Sequence, residues 1–343
     1  MSSPIAVAMC GLGQWGPNLL RNLGSNPRAR VGALCDASPK RLADFAPAHP
    51  GARLLASVDE VAADGEIEAV ILATPAGLHE EQVRLLLDAG KHVLVEKPLA
   101  MSVAAARPLV ELARNNARSL MVGHTFLHNP AVRRVKQEIA AGTLGRLNLL
   151  TAQRLSLGRI REDCNALWNL APHDVSILLY WLGKMPIRVS ARGMAFYEGH
   201  RQEDVALCHL EFPDRVLASI QVSWLNPVKM RQITVVGSQR MLVYDDVDTA
   251  APVVLYDQRA EEVAAPPEGS LERFRLQVRS GPKSVLPVES TEPLALEIDH
   301  FLECIRSAAE PIGSGEEALR ITAVLEACDR SMKANGATVE PEL

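Results

Sequence analysis

Short apolar runs alternate with helical segments in the first third of the chain. The runs are apolar throughout, which is typical of strands buried on both faces of a parallel sheet. They occupy Ile5–Cys10, Ala29–Cys35, Ala69–Ala73, His92–Val95 and Leu120–Val122. Helical patterns cover Pro17–Leu23, Glu80–Ala89 and Val103–Asn115. This alternation predicts a doubly wound parallel sheet with helices on both faces.

The pattern changes near Asn129. Strands with a period of two now dominate, and they cover Leu147–Ser156, Ile187–Ala195, Val205–Phe212, Val216–Trp224 and Ile233–Val236. The helical patterns here are Pro130–Ala141, His173–Leu182 and Gly315–Ala334, the last opened by Ser314 and Glu317 as a capping box. Residues 257–290 are polar and Pro-rich and predict an irregular segment.

The predicted fold class is therefore α/β. A Rossmann domain over residues 1–125 precedes an α/β domain over residues 126–343, which has a large open mixed or antiparallel sheet. We expect the last helix to pack back on the Rossmann domain. That open sheet keeps an apolar face that the few later helices cannot cover, so we expect a homodimer or homotetramer.

Composition and net charge disfavour several classes of protein function. The chain has 343 residues, 48% of them hydrophobic, and a net charge of −5, which suits two packed domains and disfavours a nucleic-acid partner. The six cysteines are scattered, as in a reduced cytoplasmic protein. The N-terminal apolar run lacks a basic segment before it, so we expect a strand and not a signal peptide. No apolar stretch approaches the ~20 residues needed to cross a bilayer, so we expect no membrane partner. No metal ligand set is predicted.

The strongest motif is Gly11-x-Gly13-x-x-Gly16, which follows the first strand and opens a helix. Asp36 ends the next strand about 20 residues later, as in the dinucleotide fingerprint. Its carboxylate can accept the ribose hydroxyls of NAD and would repel the 2′-phosphate of NADP. Arg41 keeps NADP open, since it can reach that phosphate.

Polar residues follow two further strands at the same predicted sheet edge. Thr74-Pro75 and His79 follow the third strand, and His79 either contacts the nicotinamide end or caps the next helix. Glu96-Lys97-Pro98 follows the fourth strand. Lys97 either bonds a substrate hydroxyl and stabilises oxyanion charge or forms a surface ion pair.

The second half holds a candidate proton acceptor. His173 lies one helical turn after Asn169 and can take a hydroxyl proton, although a structural role is the alternative. The preceding Arg154, Arg159 and Arg161 either clamp a carboxylate or phosphate or belong to a solvated loop.

Together these residues resemble the Gfo/Idh/MocA oxidoreductase family. The segments GLGQWG, CDAS, ATPAGLH and EKP resemble its nucleotide-binding half. NALWNLAPHD and SWLNPVKMRQITVVG are similar to the branch containing UDP-N-acetylglucosaminuronate 3-dehydrogenases. The resemblance implies a catalytic pair of Lys97 and His173, with Glu96 supporting the lysine, and a cis bond between Lys97 and Pro98. Many members carry aspartate where this chain has Asn169.

The resulting hypothesis is an NAD-dependent dehydrogenase that oxidises a ring hydroxyl, by resemblance at C3, of a UDP-linked N-acetylated sugar uronate. A cyclitol or free-sugar dehydrogenase and a ketosugar reductase are the alternatives within the family; an NAD-sensing binding protein without catalysis is the alternative outside it. The predicted catalytic residues are Lys97, His173 and Asn169. The predicted cofactor-binding residues are Gly11, Gly13, Gln14, Trp15, Gly16, Asp36, Arg41, Thr74, Pro75, His79, Glu96 and Lys97. The predicted substrate-binding residues are Lys97, Arg154, Arg159, Arg161, Asn165 and His173.

Overall fold

The structure is a computed structural model that describes residues 3–158, 160, 164–197, 199, 201–262 and 276–343. The chain forms two compact units. Unit 1 comprises Met1–Asn129, Thr291–Glu326 and Glu342–Leu343, and unit 2 comprises Pro130–Ser290 and Ala327–Pro341. Each unit is built around its own sheet.

Unit 1 contains a six-stranded parallel sheet. Its strands are β1 (Ile5–Cys10), β2 (Ala29–Cys35), β3 (Arg53–Leu55), β4 (Ala69–Leu72), β5 (His92–Val95) and β6 (Leu120–Val122). Their order is β3-β2-β1-β4-β5-β6, so the chain winds outward in both directions from β1. This confirms the doubly wound fold class. The sequence pattern missed β3, which has only three residues and leaves two of them exposed.

Apolar residues cover both faces of this sheet and form two separate clusters. The helices that follow strands are α1 (Gly16–Gly24), α2 (Pro39–Phe45), α3 (Val58–Ala63), α4 (His79–Asp88) and α5 (Val103–Asn115). Ser38, Ser57 and Ser102 begin three of them, because each hydroxyl accepts a hydrogen bond from the backbone N–H three residues later.

Unit 2 contains an eight-stranded mixed sheet. Its helices are α6 (Pro130–Ala140) and α7 (Ala166–Leu182). Its strands are β7 (Leu147–Leu157), β8 (Arg188–Met194), β9 (Val205–Phe212), β10 (Val216–Ser223), β11 (Leu225–Gly237), β12 (Met241–Asp245), β13 (Val253–Glu262) and β14 (Leu276–Val285). The order is β14-β13-β12-β11-β7-β10-β9-β8, and β7 with β10 is its parallel pair. The predicted open mixed sheet is confirmed.

The predicted irregular segment 257–290 is wrong for its described residues. β13 runs to Glu262, and β14 pairs with it antiparallel from Leu276 to Val285. β14 is an edge strand whose side chains are mostly exposed, so it has no apolar alternation for a sequence pattern to detect. Helix α7 also begins earlier than predicted, at Ala166, because Asn165 caps it.

The last two helices are α8 (Pro293–Ser307) and α9 (Gly315–Lys333). Unit 1 includes all of α8 and α9 as far as Glu326. The capping box of α9 forms: Ser314 Oγ accepts the Glu317 N–H at 3.3 Å, and the Glu317 carboxylate accepts the Gly313 N–H. In the described part of the chain, no helix is long and apolar enough to cross a membrane.

Candidate active site

The glycine loop between β1 and α1 is shaped for close approach by a ligand. Gly11 has a φ of +89°, and a Cβ there would lie 2.5 Å from the Ala73 carbonyl oxygen, so only glycine fits. A Cβ at Gly13 would meet nothing nearer than an Arg41 nitrogen 4.0 Å away. The loop therefore leaves open space at the N-terminus of α1, where a pyrophosphate binds.

Asp36 lies directly beside this loop. Its Oδ2 accepts the Leu12 N–H and its Oδ1 accepts the Ser38 N–H, both at 2.8 Å. An Arg41 guanidinium nitrogen lies 3.5 Å from Oδ2, with its side chain half exposed. The carboxylate is thus fixed at the end of β2 with acceptor capacity remaining for ribose hydroxyls. These residues fit NAD, and the basic group beside the carboxylate is the one able to receive a 2′-phosphate.

Gln14 and Trp15 are the exposed members of the loop. A hydrogen bond from the Trp15 side chain reaches Glu96, at the end of β5. Trp15 therefore links the glycine loop to the segment that carries Lys97.

His79 ties two strand ends together. Its Nδ1 lies 2.7 Å from the Pro98 carbonyl oxygen and its Nε2 lies 2.9 Å from that of Thr74. Thr74 in turn donates its hydroxyl to Gln82 at 2.6 Å. Burial lowers the pKa of His79, and the two backbone contacts partly offset that effect. The contacts of His79 connect the segments that follow β4 and β5. Cofactor contact by Thr74, Pro75 and His79 stays a prediction.

Lys97 follows β5 and its peptide bond to Pro98 is cis, as the resemblance implied. Burial raises the pKa of the adjacent Glu96 to about 7, although the Lys97 charge and the Trp15 hydrogen bond act in the other direction. Burial also lowers the pKa of His124 to about 3, and the Lys97 charge adds to that shift. The lysine therefore has a titratable acid and a neutral imidazole near it.

The sequence analysis missed three residues of this region: His124, Thr125 and Glu297. The Thr125 hydroxyl donates to Glu297 Oε2 at 2.9 Å, and Glu297 is fully buried. A signal for Glu297 was present, because it lies on the apolar stripe of α8 with Leu294, Ile298 and Phe301. A charged residue in such a stripe marks a buried ionisable group.

In unit 2, Asn165 caps α7, and the helix itself carries Asn169 and His173. Asn165 begins the helix: its side-chain oxygen accepts the Trp168 N–H at 3.0 Å and its side-chain nitrogen donates to Glu203 at 2.9 Å. The Trp224 indole donates to Asn169 Oδ1 at 3.3 Å. His173 is partly exposed one turn further along. Asn165 thus has a capping role, while substrate contact by all three stays a prediction.

Arg154 lies on β7 and forms a buried ion pair with Asp174. Its Nε and Nη2 donate to the two carboxylate oxygens at 2.9 and 3.0 Å. Burial alone would lower the pKa of Arg154, but the Asp174 carboxylate, together with Tyr244 and Asp246, outweighs this effect and the pKa is raised. Arg159 and Arg161 lie outside the described residues. Among the residues described, no cluster of three or more His, Cys, Asp or Glu side chains is placed to hold a metal.

Comparison with known proteins adds a family relation. Residues 5–124 match the model described as an oxidoreductase family with an NAD-binding Rossmann fold. Residues 132–243 match the model described as the GFO/IDH/MocA C-terminal domain. The two matches fall in unit 1 and unit 2 respectively.

Individual relatives are distant. An uncharacterized oxidoreductase of Streptococcus pneumoniae is 26% identical over 63% of this chain and 62% of its own length, so less than two thirds of that relative is spanned. Inositol 2-dehydrogenase of Rhizobium meliloti is 23% identical over 96% of this chain and 97% of that protein. The crystal structure of the WlbA dehydrogenase from Bordetella pertussis, in complex with NADH and UDP-GlcNAcA, has a TM-score of 0.79 and 23% identity, covering 99% of this chain and 100% of that one. At that identity the likeness shows a shared fold.

Proposed function

Because this chain belongs to the Gfo/Idh/MocA oxidoreductase family, we propose that it is an NAD-dependent dehydrogenase that oxidises a ring hydroxyl of a sugar. The observation that carries the proposal is the placement of Lys97 at the carboxyl end of β5, on the sheet edge that also bears the glycine loop and Asp36. Ligands of open parallel sheets bind beyond this edge. The alternative, a binding protein that senses NAD, needs no lysine there.

In the proposed reaction, Lys97, His173 and Asn169 have different roles. The glycine loop and Asp36 would hold NAD, whose nicotinamide would supply the hydride acceptor. The Lys97 ammonium hydrogen-bonds the substrate oxygen and stabilises the negative charge that develops on it. His173 takes the hydroxyl proton as the carbon–oxygen double bond forms. Asn169 positions a hydroxyl by hydrogen bonding and, unlike aspartate, adds no charge beside the imidazole.

For the substrate, we propose a UDP-linked N-acetylated sugar uronate oxidised at C3. The support is the resemblance to that branch of the family, the ligand of the similarly folded WlbA dehydrogenase, and the basic segment before α7. Arg154 is already paired with Asp174. In this proposal, Arg159 and Arg161 are therefore the cationic residues that bind the anionic part of the substrate. The engagement of Arg154 also favours a second candidate, an uncharged cyclitol, which is the class named for the Rhizobium meliloti relative.

A substrate comparison tests both candidates. Purified protein and NAD are mixed with UDP-N-acetylglucosaminuronate, UDP-N-acetylglucosamine or myo-inositol, and NADH formation is followed by absorbance. The proposal expects turnover with the first compound, and a KM raised about 10–100-fold by Arg159→Ala or Arg161→Ala with NAD binding unchanged. Turnover of myo-inositol alone, unaffected by either substitution, would establish the second candidate instead.

A further inference from the structure

Trp224 lies between β10 and β11 and is almost completely buried, with 2% of its surface exposed. Its backbone N–H donates to the Asp204 carbonyl oxygen at 3.0 Å, and its own carbonyl oxygen accepts the Gly158 N–H at 3.2 Å. A Cβ at Gly158 would come within 2.9 Å of Trp224 Cδ1, so the indole ring packs directly on that glycine. The indole is therefore fixed at the carboxyl ends of β7 and β10, the parallel pair of the sheet.

The indole of Trp224 determines which way the Asn169 carboxamide is turned. Its Nε1 lies 3.3 Å from Asn169 Oδ1. An indole nitrogen can only donate a hydrogen bond, whereas a carboxamide has an acceptor oxygen on one branch and a donor nitrogen on the other. The opposite orientation would set two donors against each other in a buried place, which is costly. The oxygen of Asn169 therefore faces Trp224 and the nitrogen is directed away from it.

Asn169 belongs to the accessible part of α7. From Asn165 to Leu178 the partly exposed residues are Asn169, Leu170 and His173, and every other residue is buried. Asn169 and His173 are four residues apart, so they lie on the same helical face. Because the buried Trp224 covers the oxygen, the nitrogen is the polar atom that Asn169 can offer to a ligand on the face that it shares with His173.

Resting on the proposed function, we propose that Trp224 makes Asn169 a specificity-determining residue, which donates an N–H to a carboxylate or amide carbonyl oxygen of the substrate. A hydroxyl can be held by a donor or by an acceptor, but these two oxygens carry no proton and need a donor. An ionised aspartate in place of Asn169 could also accept the Trp224 N–H, and its second oxygen would then repel such a group. The donor therefore suits an N-acetylated sugar uronate better than a cyclitol, whose oxygens are all hydroxyls.

The test measures sugar binding by calorimetry to the full chain saturated with NADH, because no hydride acceptor is then present and no sugar is oxidised. The ligands are UDP-N-acetylglucosaminuronate and myo-inositol, and the wild type should bind the first more tightly. Asn169→Leu removes the donor without adding charge and should weaken binding of the nucleotide sugar about 10–100-fold. Asn169→Asp should weaken it at least as much, and should weaken myo-inositol binding less, since a hydroxyl can donate to a carboxylate.

Three binding results would overturn the proposal. The first is nucleotide-sugar binding that both substitutions leave unchanged. The second is a loss in Asn169→Asp alone, because the cause would then be charge repulsion and not a missing donor. The third is a wild type that binds myo-inositol at least as tightly as the nucleotide sugar, or that binds neither ligand.

The positioning role of Trp224 has its own comparison. Trp224→Phe removes the indole donor, so the amide can turn either way, and the ratio of the two affinities should narrow about 10-fold. Trp181→Phe is the matched control: Trp181 is also buried and donates its indole N–H to the Val132 carbonyl oxygen at 2.9 Å. Its loss should lower stability and leave the ratio in place. Equal ratios in both variants would contradict the role of Trp224.

The indole proton of Trp224 gives a readout that needs no sugar. Its NMR signal is assigned by its absence from Trp224→Phe. The signal should shift upfield in Asn169→Leu, which lacks an acceptor, and should stay downfield in Asn169→Asp, which keeps one. A signal that does not move in Asn169→Leu would overturn the orientation of the amide.

Failure of the proposed function has a different signature. If the wild type binds UDP-N-acetylglucosaminuronate as expected but forms no NADH from it in the presence of NAD, the dehydrogenase activity is wrong and the role of Asn169 stands. If NADH forms and Asn169→Leu binds the nucleotide sugar like the wild type, the activity stands and the role of Asn169 is wrong.

Discussion

Arg154 and Asp174 form a two-pronged ion pair in the interior of unit 2, with nitrogen–oxygen distances of 2.9 and 3.0 Å. Asp174 directly follows His173 on α7, and Arg154 lies on β7. The pair therefore fixes the helical turn that carries the proposed proton acceptor against the sheet. Arg154, which the sequence analysis proposed as a substrate-binding residue, thus forms a structural ion pair within unit 2.

Loss of Arg154 should destabilise the protein strongly. Arg154→Ala leaves a buried carboxylate without its partner, and we expect the free energy of unfolding to fall by about 3–5 kcal/mol. Arg188→Ala is the control, since Arg188 forms an exposed pair with Glu211 and its loss should cost about 1 kcal/mol or less. Urea unfolding measures both; equal effects would contradict the structural role of Arg154.

Cofactor choice should depend on Asp36. Asp36→Ala removes an acceptor for the ribose hydroxyls, so NAD affinity should fall about 10–100-fold while NADP affinity falls less. Asp44→Ala, an exposed change on α2, should alter neither. Calorimetric titration with both cofactors provides the comparison. Wild-type protein that binds NADP as tightly as NAD would show that Arg41 dominates instead.

Stability should fall as pH rises through the range in which Glu96 ionises. Its pKa is raised from 4.5 to about 7 in the folded protein, so the unfolded chain loses this proton first and stability from this group is lost between those values. Glu96→Gln removes the contribution of this titration to the pH dependence of stability. The difference in the free energy of unfolding between this variant and the wild type should shift in favour of the variant by about 1–3 kcal/mol as the pH rises from mildly acidic to mildly alkaline. Denaturant midpoints that shift in parallel at every pH would contradict it.

The open face of the unit 2 sheet should form a subunit interface. Leu149 and Leu217 are paired residues on adjacent parallel strands, and Leu207 on β9 shares their face; all three are substantially exposed. These leucines lie among polar side chains such as Ser219 and Gln221, and exposed apolar groups on a sheet face are a feature of subunit interfaces. We expect a dimer or tetramer at micromolar concentration by sedimentation velocity, and smaller species after Leu217→Lys. Leu54→Lys, on an exposed position of β3, should not change the assembly.

Much of unit 1 could be predicted because its determinants are local. The apolar runs, the glycine loop and Asp36 each signal structure within a few residues, and the structure places Asp36 beside the loop as expected. Arg154 shows the limit of that reasoning. Its partner Asp174 is distant in sequence, and a pattern cannot tell a buried guanidinium from one in a solvated loop.

Glu297 and β14 were missed for different physical reasons. Glu297 belongs to the Lys97 region only because α8 returns to unit 1 after the whole of the second sheet. β14 is held by backbone pairing with β13 at an edge, and that pairing leaves no trace in side-chain polarity. Contacts between segments distant in sequence and backbone pairing at a sheet edge could not be predicted from a single sequence in these two cases.

The central claim is tested most directly at Lys97. NADH formation from UDP-N-acetylglucosaminuronate is measured for the wild type and for Lys97→Met, with NAD binding to each measured by calorimetry. The account predicts that Lys97→Met binds NAD like the wild type but forms no detectable NADH, because the developing oxyanion has lost its charge partner. Turnover by Lys97→Met at the wild-type rate would contradict the account.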